Sequence, residues 1–234
     1  MKKLIKSNGL FLSLSAIVFA GLGILLLTHG KAELHLWLNS YHTAFGDFFF
    51  RYYTYIAAFG IYLAAFIMLF WRLGASLYLL AGEVVGGIIV QIAKHLVQAP
   101  RPKVFFDLAN HPDAIPLVEG VQLHSSNSFP SGHASTSFVL FFILAIVLNY
   151  YGKQKAKNQK LIQAFCFLLA LTGAYARIYL SQHFAADVLA GGIIGMMAFI
   201  MLFPAFEWLN NKHPKLCAWH IVLRQQTQPE DLDS

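Results

Sequence analysis

Charged residues are scarce in this chain of 234 residues. Only 12% of the residues are Asp, Glu, Lys or Arg, while 57% are hydrophobic. So little charge cannot cover a water-facing surface, which excludes an ordinary soluble domain and indicates a membrane protein. The net charge of +6 does not indicate nucleic-acid binding, because the basic residues stand between long apolar runs, where membrane orientation accounts for them.

Cysteine is almost as scarce. Cys166 lies in an apolar run and Cys217 in the polar C-terminal tail, and neither has the spacing of a metal-binding or redox motif. The sequence therefore gives no sign of a disulfide framework, a zinc site or a bound cofactor.

Long apolar runs are what the chain has in abundance. Since a helix rises about 1.5 Å per residue, about 20 apolar residues cross the hydrocarbon of a bilayer. The first run follows a lysine-rich start, as in a signal peptide, but it is too long and has no small-residue cleavage pattern after it, so we expect an uncleaved span. The predicted spans are 9–29, 55–71, 76–96, 132–150, 161–179 and 185–206.

The stretch 34–54, between the first two predicted spans, mixes aromatic rings with polar and charged side chains. Aromatic rings settle at the headgroup level of a membrane. We therefore predict an all-α, polytopic membrane fold of six transmembrane helices with an interfacial helix after the first. This single domain covers 1–209, and 210–234 is expected to be a polar, cytoplasmic, partly disordered tail.

Lysine and arginine set the expected orientation. With the N-terminus inside, eleven of them lie on the cytoplasmic side and six on the other, and three of those six belong to the site described below. Cytoplasmic loops carry the excess of positive charge in membrane proteins. Both termini are thus predicted in the cytoplasm, while the loop 98–129 and the turn near Ser181 face outward.

Three short polar stretches lie at the outward ends of the predicted helices. In the first, Lys94 stands near the end of the third span, and two prolines stop the helix so that Arg101 lies on an extended segment. Alone, this stretch could be two cations snorkelling at the membrane interface.

The second stretch runs from Ser128 to His133, just before the fourth span. Ser131 is placed to cap the helix, Gly132 lets a ligand approach closely, and the free N–H groups of the first turn favour an anion. His133 stands on the same turn. Alone, the pattern could be a helix start with an incidental histidine.

The third stretch places His183 and Asp187 four residues apart at the start of the sixth span, on one face of a helix. A carboxylate bonded to one ring nitrogen fixes the tautomer and leaves the other nitrogen as a nucleophile or base. Arg177 is six residues earlier, and the turn between can fold it back. The alternative is an ion pair that ties two helices together.

Together the stretches place three cations, two histidines, an orienting aspartate and a helix N-terminus on one side of the membrane. An unpaired charge in a membrane costs on the order of 3 kcal/mol, so this concentration predicts a binding site. The charge that these groups would neutralise is that of a phosphate.

The three stretches resemble the signature of the type 2 phosphatidic acid phosphatase superfamily, whose core is related to that of vanadium-dependent haloperoxidases. The family pattern is Lys, six residues, Arg-Pro; then Pro-Ser-Gly-His; then Ser-Arg, five residues, His, three residues, Asp. Ala176 stands where the family has serine, which puts a secondary phosphate contact in doubt. The matching positions, within an expected catalytic core of about 85–200, are Lys94, Arg101-Pro102, Pro130-Ser131-Gly132-His133, Arg177, His183 and Asp187.

The resemblance implies a role for each matching residue. His183 attacks the terminal phosphorus and forms a phosphohistidine, Asp187 orients His183, and His133 protonates the leaving oxygen. Fixed cations can stabilise a transferring phosphoryl group without Mg²⁺, so we expect a metal-independent reaction with no cofactor. The phosphate oxygens would be held by Lys94, Arg101, Ser131, Gly132 and Arg177.

The expected function is that of a bacterial inner-membrane lipid phosphatase acting on a lipid phosphate or diphosphate in the outer leaflet, with undecaprenyl diphosphate as the preferred substrate. Phosphatidylglycerol phosphate, phosphatidic acid and lipid A phosphates are alternatives, as is a phosphotransferase with the same site. A non-catalytic lipid-binding or transport protein would be expected to have lost His183 or Asp187. The expected partners are the lipid substrate and the bilayer, without nucleic acid or an obligate protein partner.

Four further residues are expected outside the site. Glu83, among glycines of the third span, is predicted to lie toward the cytoplasmic half, away from the site, and to hydrogen-bond a neighbouring helix. His95 is expected at the membrane interface. His111 and His124 are expected to face solvent in the outer loop, which can shape substrate access.

Overall fold

The computed structural model describes residues 2–151 and 156–219, with side chains over 8–149 and 158–219. Over these residues the secondary structure is helical, without strands, and six helices are long and apolar enough to cross a membrane. The predicted all-α, six-span architecture is confirmed. The helices are α1 (Lys2–Asn39), α2 (Ala44–Leu69), α3 (Leu73–Val97), α4 (Pro102–Leu108), α5 (Gly132–Tyr151), α6 (Ala156–Tyr179), α7 (Ala185–Lys212) and α8 (Pro214–Ala218).

Helix α5 is the centre of the bundle. It packs against α1, α2, α3, α6 and α7, and most of its residues are buried, whereas most of those in α1 are not. A helix that is apolar on all sides is buried on all sides. The first turn of α5 therefore lies between the end of α3, the end of α6 and the start of α7, and this end of the bundle is called the site end below.

Two glycines bring α7 against the first turns of α5. A Cβ atom at Gly191 would collide with the carbonyl oxygen of Ser131, and one at Gly195 with that of Ser135. Their spacing of four residues puts both glycines on one face of α7. Small residues let helix backbones approach closely, so this pair fixes how near the start of α7 comes to the start of α5.

The interfacial helix predicted over 34–54 is not one element. Helix α1 kinks at Gly30, whose φ of 73° is left-handed, and then continues to Asn39. Helix α2 begins at Ala44, and the Thr43 side chain caps it by accepting a hydrogen bond of 3.0 Å from the Gly46 N–H. The second long helix thus starts at residue 44 rather than 55.

The charged residues that counted against a spanning helix in 34–54 form hydrogen bonds. Asp47 accepts a hydrogen bond of 2.6 Å from the Tyr179 hydroxyl, and Arg51 donates one of 3.0 Å to the carbonyl of Glu119. Because paired polar groups are tolerated at the end of a spanning helix, α2 includes them.

The first part of the predicted tail is folded. Helix α7 continues to Lys212, the short helix α8 follows, and the backbone N–H of Leu73 donates to the carbonyl of Trp219 at 2.8 Å. Cys217 is buried against Gly74 of α3. The rest of the predicted tail, 220–234, lies outside the described residues.

Candidate active site

The turn between α6 and α7 carries His183, which is 1% exposed. The backbone N–H groups of Gln182 and His183 both donate to the carbonyl of Arg177, at 3.0 and 3.1 Å. These bonds fold the turn back onto the last turn of α6. The turn thereby brings the Arg177 charge into interaction with the His183 ring.

The two ring nitrogens of His183 face different groups. Nδ1 lies 3.5 Å from Oδ2 of Asp187 and 3.5 Å from Oγ of Ser128. Nε2 lies 3.4 Å from Nη1 of Arg101. A proton on Nδ1 suits the carboxylate beside it, which leaves the Nε2 lone pair directed toward the guanidinium.

Asp187 is held in place on the first turn of α7. Its Oδ2 accepts hydrogen bonds from the Ser128 hydroxyl and, at 2.9 Å, from the backbone N–H of Phe184. Both Ser128 and Asp187 are buried. Ser128 had no predicted role, and its only signal in the sequence was its place at the start of the second stretch.

Arg101 lies on an extended segment just before α4, as the two prolines predicted, and Pro102 starts that helix. Its Nε donates to the carbonyl of Ser126 at 3.0 Å. Its Nη1 donates to the backbone oxygen of Gln182 at 2.9 Å and to the side-chain oxygen of the same residue at 3.0 Å. These bonds hold the guanidinium rigidly beside His183.

Arg177 is 5% exposed. Its Nη1 donates a hydrogen bond of 2.6 Å to Oγ1 of Thr54 on α2, a partner that the sequence analysis did not identify. Its Nε is buried and has no hydrogen-bond partner among the described side chains and backbone. A buried, unpaired N–H of a cation is costly, so the group is suited to an incoming anion.

Lys94 and His133 complete the cluster. Both are half-buried. Lys94 interacts electrostatically with Arg101 and Arg177, and His133 interacts with these three cations and with His183. Like charges this close repel one another, and the repulsion is relieved when an anion binds between them.

The first turn of α5 has backbone N–H groups that are open to an anion. The Ser131 side chain caps the helix by accepting from the N–H of Ala134 at 3.4 Å, and the Ser131 N–H donates to the carbonyl of Asp187 at 2.9 Å. The following N–H groups of a first helical turn have no intrahelical acceptor. At Gly132, a Cβ would meet only Val90, at 3.7 Å, so the backbone there is open to a ligand.

The charge state of His183 follows from this environment. Burial, and after it the charges of Arg177, Arg101 and Lys94, hold the pKa of the His183 imidazole well below its ordinary value of 6.5. The ring is therefore neutral at physiological pH and keeps the lone pair that a nucleophile needs.

Three histidines were expected outside the site. His95 is exposed, and its Nδ1 lies 2.8 Å from the carbonyl of Gln91 on its own helix, which agrees with an interfacial side chain. His111 and His124 are exposed, as predicted. The pKa of His124 is nevertheless lowered by partial burial and by the three cations, which places it near the mouth of the site.

Comparison with known proteins supplies the family. A family model described as the PAP2 superfamily matches residues 75–211, more than half of the chain. The chain belongs to the PAP2 superfamily. The resemblance stated from the three polar stretches is thereby confirmed, and the matched region contains every residue of the site except Thr54.

Three curated proteins are similar over part of their length. Phosphatidylglycerophosphatase B of Bacillus subtilis (strain 168) is 32% identical over 91 residues, which cover 39% of this chain and 43% of that protein. Lipid A 4'-phosphatase of Bacteroides thetaiotaomicron is 36% identical over 67 residues, 29% and 26% of the two chains. Dolichyldiphosphatase 1 of Dictyostelium discoideum is 28% identical over 119 residues, 46% and 50%. The chain therefore spans half or less of these relatives.

Two solved structures share the fold. The crystal structure of Aquifex aeolicus LpxE matches with a TM-score of 0.59 and 24% identity, covering 74% of this chain and 94% of that one. The crystal structure of a transmembrane PAP2 type phosphatidylglycerolphosphate phosphatase from Bacillus subtilis matches with a TM-score of 0.60 and 22% identity, covering 88% and 98%. The six apolar helices and this likeness make the chain a multi-pass membrane protein.

Proposed function

We propose that this protein is a lipid phosphatase that removes a terminal phosphate through a phosphohistidine on His183. The observation that carries the proposal is the placement of the His183 ring, with Nδ1 toward Asp187 and Nε2 toward Arg101. A neutral, oriented imidazole facing a cluster of cations has what in-line attack on a phosphorus requires.

The reaction has two balanced steps. In the first, Nε2 of His183 bonds to phosphorus, the bond from phosphorus to the lipid oxygen breaks, and His133 gives that oxygen a proton. In the second, water attacks phosphorus, the P–N bond breaks, and the water proton passes to His133. Lys94, Arg101, Arg177 and the first turn of α5 would stabilise the charge on the phosphoryl oxygens in both steps.

The substrate class that we propose is an acylated lipid phosphate. Two of the three similar proteins are named for such lipids, phosphatidylglycerophosphate and lipid A, and the third is named for dolichyl diphosphate. Undecaprenyl diphosphate, the substrate preferred from the sequence, stays a prediction. Of the three similar proteins, only dolichyldiphosphatase 1 is named for a polyprenyl diphosphate.

The test is a phosphate-release panel in detergent. Wild type, His183→Ala and His133→Ala would be compared on phosphatidylglycerol phosphate, phosphatidic acid, lipid A and undecaprenyl diphosphate. We expect free orthophosphate from wild type with a single purified lipid, and loss of turnover in both variants. Turnover by His183→Ala at the wild-type rate would contradict the proposal. Transfer to a second lipid without free orthophosphate would instead indicate a phosphotransferase.

Metal independence is a separate part of the proposal. Four cationic or N–H donor groups can neutralise the phosphoryl charge without a metal ion. We expect full activity in excess EDTA, measured by phosphate release. Loss of activity on chelation that Mg²⁺ restores would contradict this part alone.

The site is further proposed to face the periplasm or exterior, with both termini in the cytoplasm. The native cysteines, Cys166 and Cys217, are both buried, so a cysteine introduced at the exposed His111 would be the reactive one. We expect a membrane-impermeant maleimide to label His111→Cys in intact cells. Labelling only after lysis would reverse the proposed orientation.

A further inference from the structure

Glu83 is a carboxyl inside a spanning helix that the proposed reaction does not use. It lies near the middle of α3 and is half-buried. Its Oε1 accepts a hydrogen bond of 2.9 Å from Oγ1 of Thr136 on α5, so the predicted bond to a neighbouring helix is confirmed. Within residues 8–149 and 158–219, no group hydrogen-bonds to the other oxygen, Oε2.

The bond to Thr136 brings the Glu83 carboxyl close to the site. Thr136 is three residues after His133 on α5, and residues at this spacing are neighbours on one helix face, with Cβ atoms about 5–6 Å apart. The sequence predicted that Glu83 lies away from the site, and the Thr136 bond puts its carboxyl about one helical turn along α5 from His133. The reason is that α5 begins at Gly132, beside Val90, so the first turn of α5 lies part-way along α3.

An open strip of α3 connects this carboxyl with the site end of the bundle. At 3.6 residues per turn, Glu83, Gly87 and Lys94 lie on one face of the helix. At Gly87 a Cβ atom would meet nothing within 4 Å. On the neighbouring α2, Tyr62 is 50% exposed and interacts electrostatically with Glu83, so α2 borders the strip. A lipid with its phosphate at the first turn of α5, beside Val90, has room to extend along this strip past Glu83.

The chemistry of a carboxyl in hydrocarbon restricts what it binds. Burial in hydrocarbon disfavours an ionised carboxylate and favours the carboxylic acid, which has one O–H to donate. The acceptor nearest the cleaved bond of a diacylglycerol phosphate is an ester carbonyl, a few bonds from the leaving oxygen. A polyprenyl chain has no acceptor beyond its phosphates.

We propose that Glu83 is a specificity-determining residue whose carboxyl binds an ester carbonyl of a diacylglycerol phosphate. The proposal rests on the proposed function and deepens it, since it selects acylated over polyprenyl substrates. The Thr136 hydroxyl holds one carboxyl oxygen, which directs the other toward the lipid.

The experiment compares three substrates that differ in this acceptor: a diacylglycerol phosphate, its dialkyl ether analogue and a polyprenyl phosphate. Wild type should have a KM for the ester about tenfold below that for the ether, the factor expected for one hydrogen bond. Glu83→Leu should raise the KM for the ester about tenfold and leave the other two within twofold. Glu83→Gln, which keeps a donor, should retain the preference for the ester.

The matched control is Val84→Leu, since Val84 is the next residue on α3 and is 59% exposed. It should leave all three KM values unchanged. An equal loss of turnover on all three substrates in Glu83→Leu, or an equal KM of wild type for ester and ether, would overturn the inference. A wild type that releases phosphate from none of the three lipids would instead overturn the proposed function itself.

Discussion

Replacing Ser128 by alanine should slow the proposed reaction while leaving the fold intact. The Ser128 hydroxyl donates to Oδ2 of Asp187 and lies 3.5 Å from Nδ1 of His183. Both Ser128 and Asp187 are buried, so water does not replace the lost donor. The carboxylate would keep the Phe184 N–H, and its hold on the His183 ring would loosen.

The size of the effect follows from the type of bond. A hydrogen bond to a charged group is worth about 1.5–3 kcal/mol, and about 1.4 kcal/mol corresponds to a factor of ten. If this bond is needed in the transition state, kcat should fall about 10- to 100-fold. KM should change little, because the Ser128 hydroxyl is bonded to Asp187 rather than directed at the phosphate. Asp187→Ala should cost more, since it removes the carboxylate itself.

The assay is phosphate release at saturating lipid phosphate, with a thermal melt of each variant to show that it is folded. Ser126→Ala is the matched control. Ser126 is exposed in the same loop and contributes only its backbone carbonyl to Arg101, so its kcat should equal that of wild type. A Ser128→Ala variant with kcat within twofold of wild type would refute the assigned role of this serine.

Three other perturbations have expected outcomes. In the proposed reaction the neutral His183 is the active form, and its pKa is lowered. The value of kcat/KM, corrected for ionisation of the substrate phosphate, should therefore stay flat as the pH falls through the ordinary histidine pKa of 6.5 and drop only well below it. A fall of kcat/KM with a midpoint near pH 6.5 would contradict this. Thr54→Val should lower kcat/KM about tenfold by freeing Arg177, while an unchanged value would show that the 2.6 Å bond is not needed. Gly191→Ala should lower the melting temperature, because its Cβ would collide with the Ser131 carbonyl and overpacking costs about 1–3 kcal/mol; an unchanged melting temperature would show that α7 can shift without cost.

The helices of the core could be predicted from the sequence because their signals are local. The apolar runs predicted over 76–96 and 132–150 lie within the helices Leu73–Val97 and Gly132–Tyr151. The extended backbone at Arg101 followed from its flanking prolines in the same way. Hydropathy and proline act over a few residues, so the sequence alone carries them.

The stretch 34–54 was harder because its polar groups have distant partners. Asp47 and Arg51 counted against a span in the sequence, yet each is bonded to a residue far along the chain, Tyr179 and Glu119. Pairing at such a distance depends on the packed bundle. No local pattern reports it.

The candidate site, too, could be predicted only where its signals are local in the sequence. The spacing of His183 and Asp187 placed the ring beside the carboxylate, but it did not identify Ser128, Thr54 or Gln182, which hold the charged groups in position. These three contacts join residues from different parts of the chain. They form only once the helices have packed, so the local sequence around each of these residues gave no sign of them.

The proposed phosphohistidine on His183 can be tested directly by trapping the phosphoenzyme. Purified wild type would be mixed with a lipid phosphate, quenched at alkaline pH, where phosphohistidine survives, and digested for mass spectrometry. We expect a phosphoryl group on the peptide that contains His183, absent from His183→Ala and accumulating when hydrolysis is slowed. A phosphoryl group on any other residue, or full turnover by His183→Ala, would contradict it.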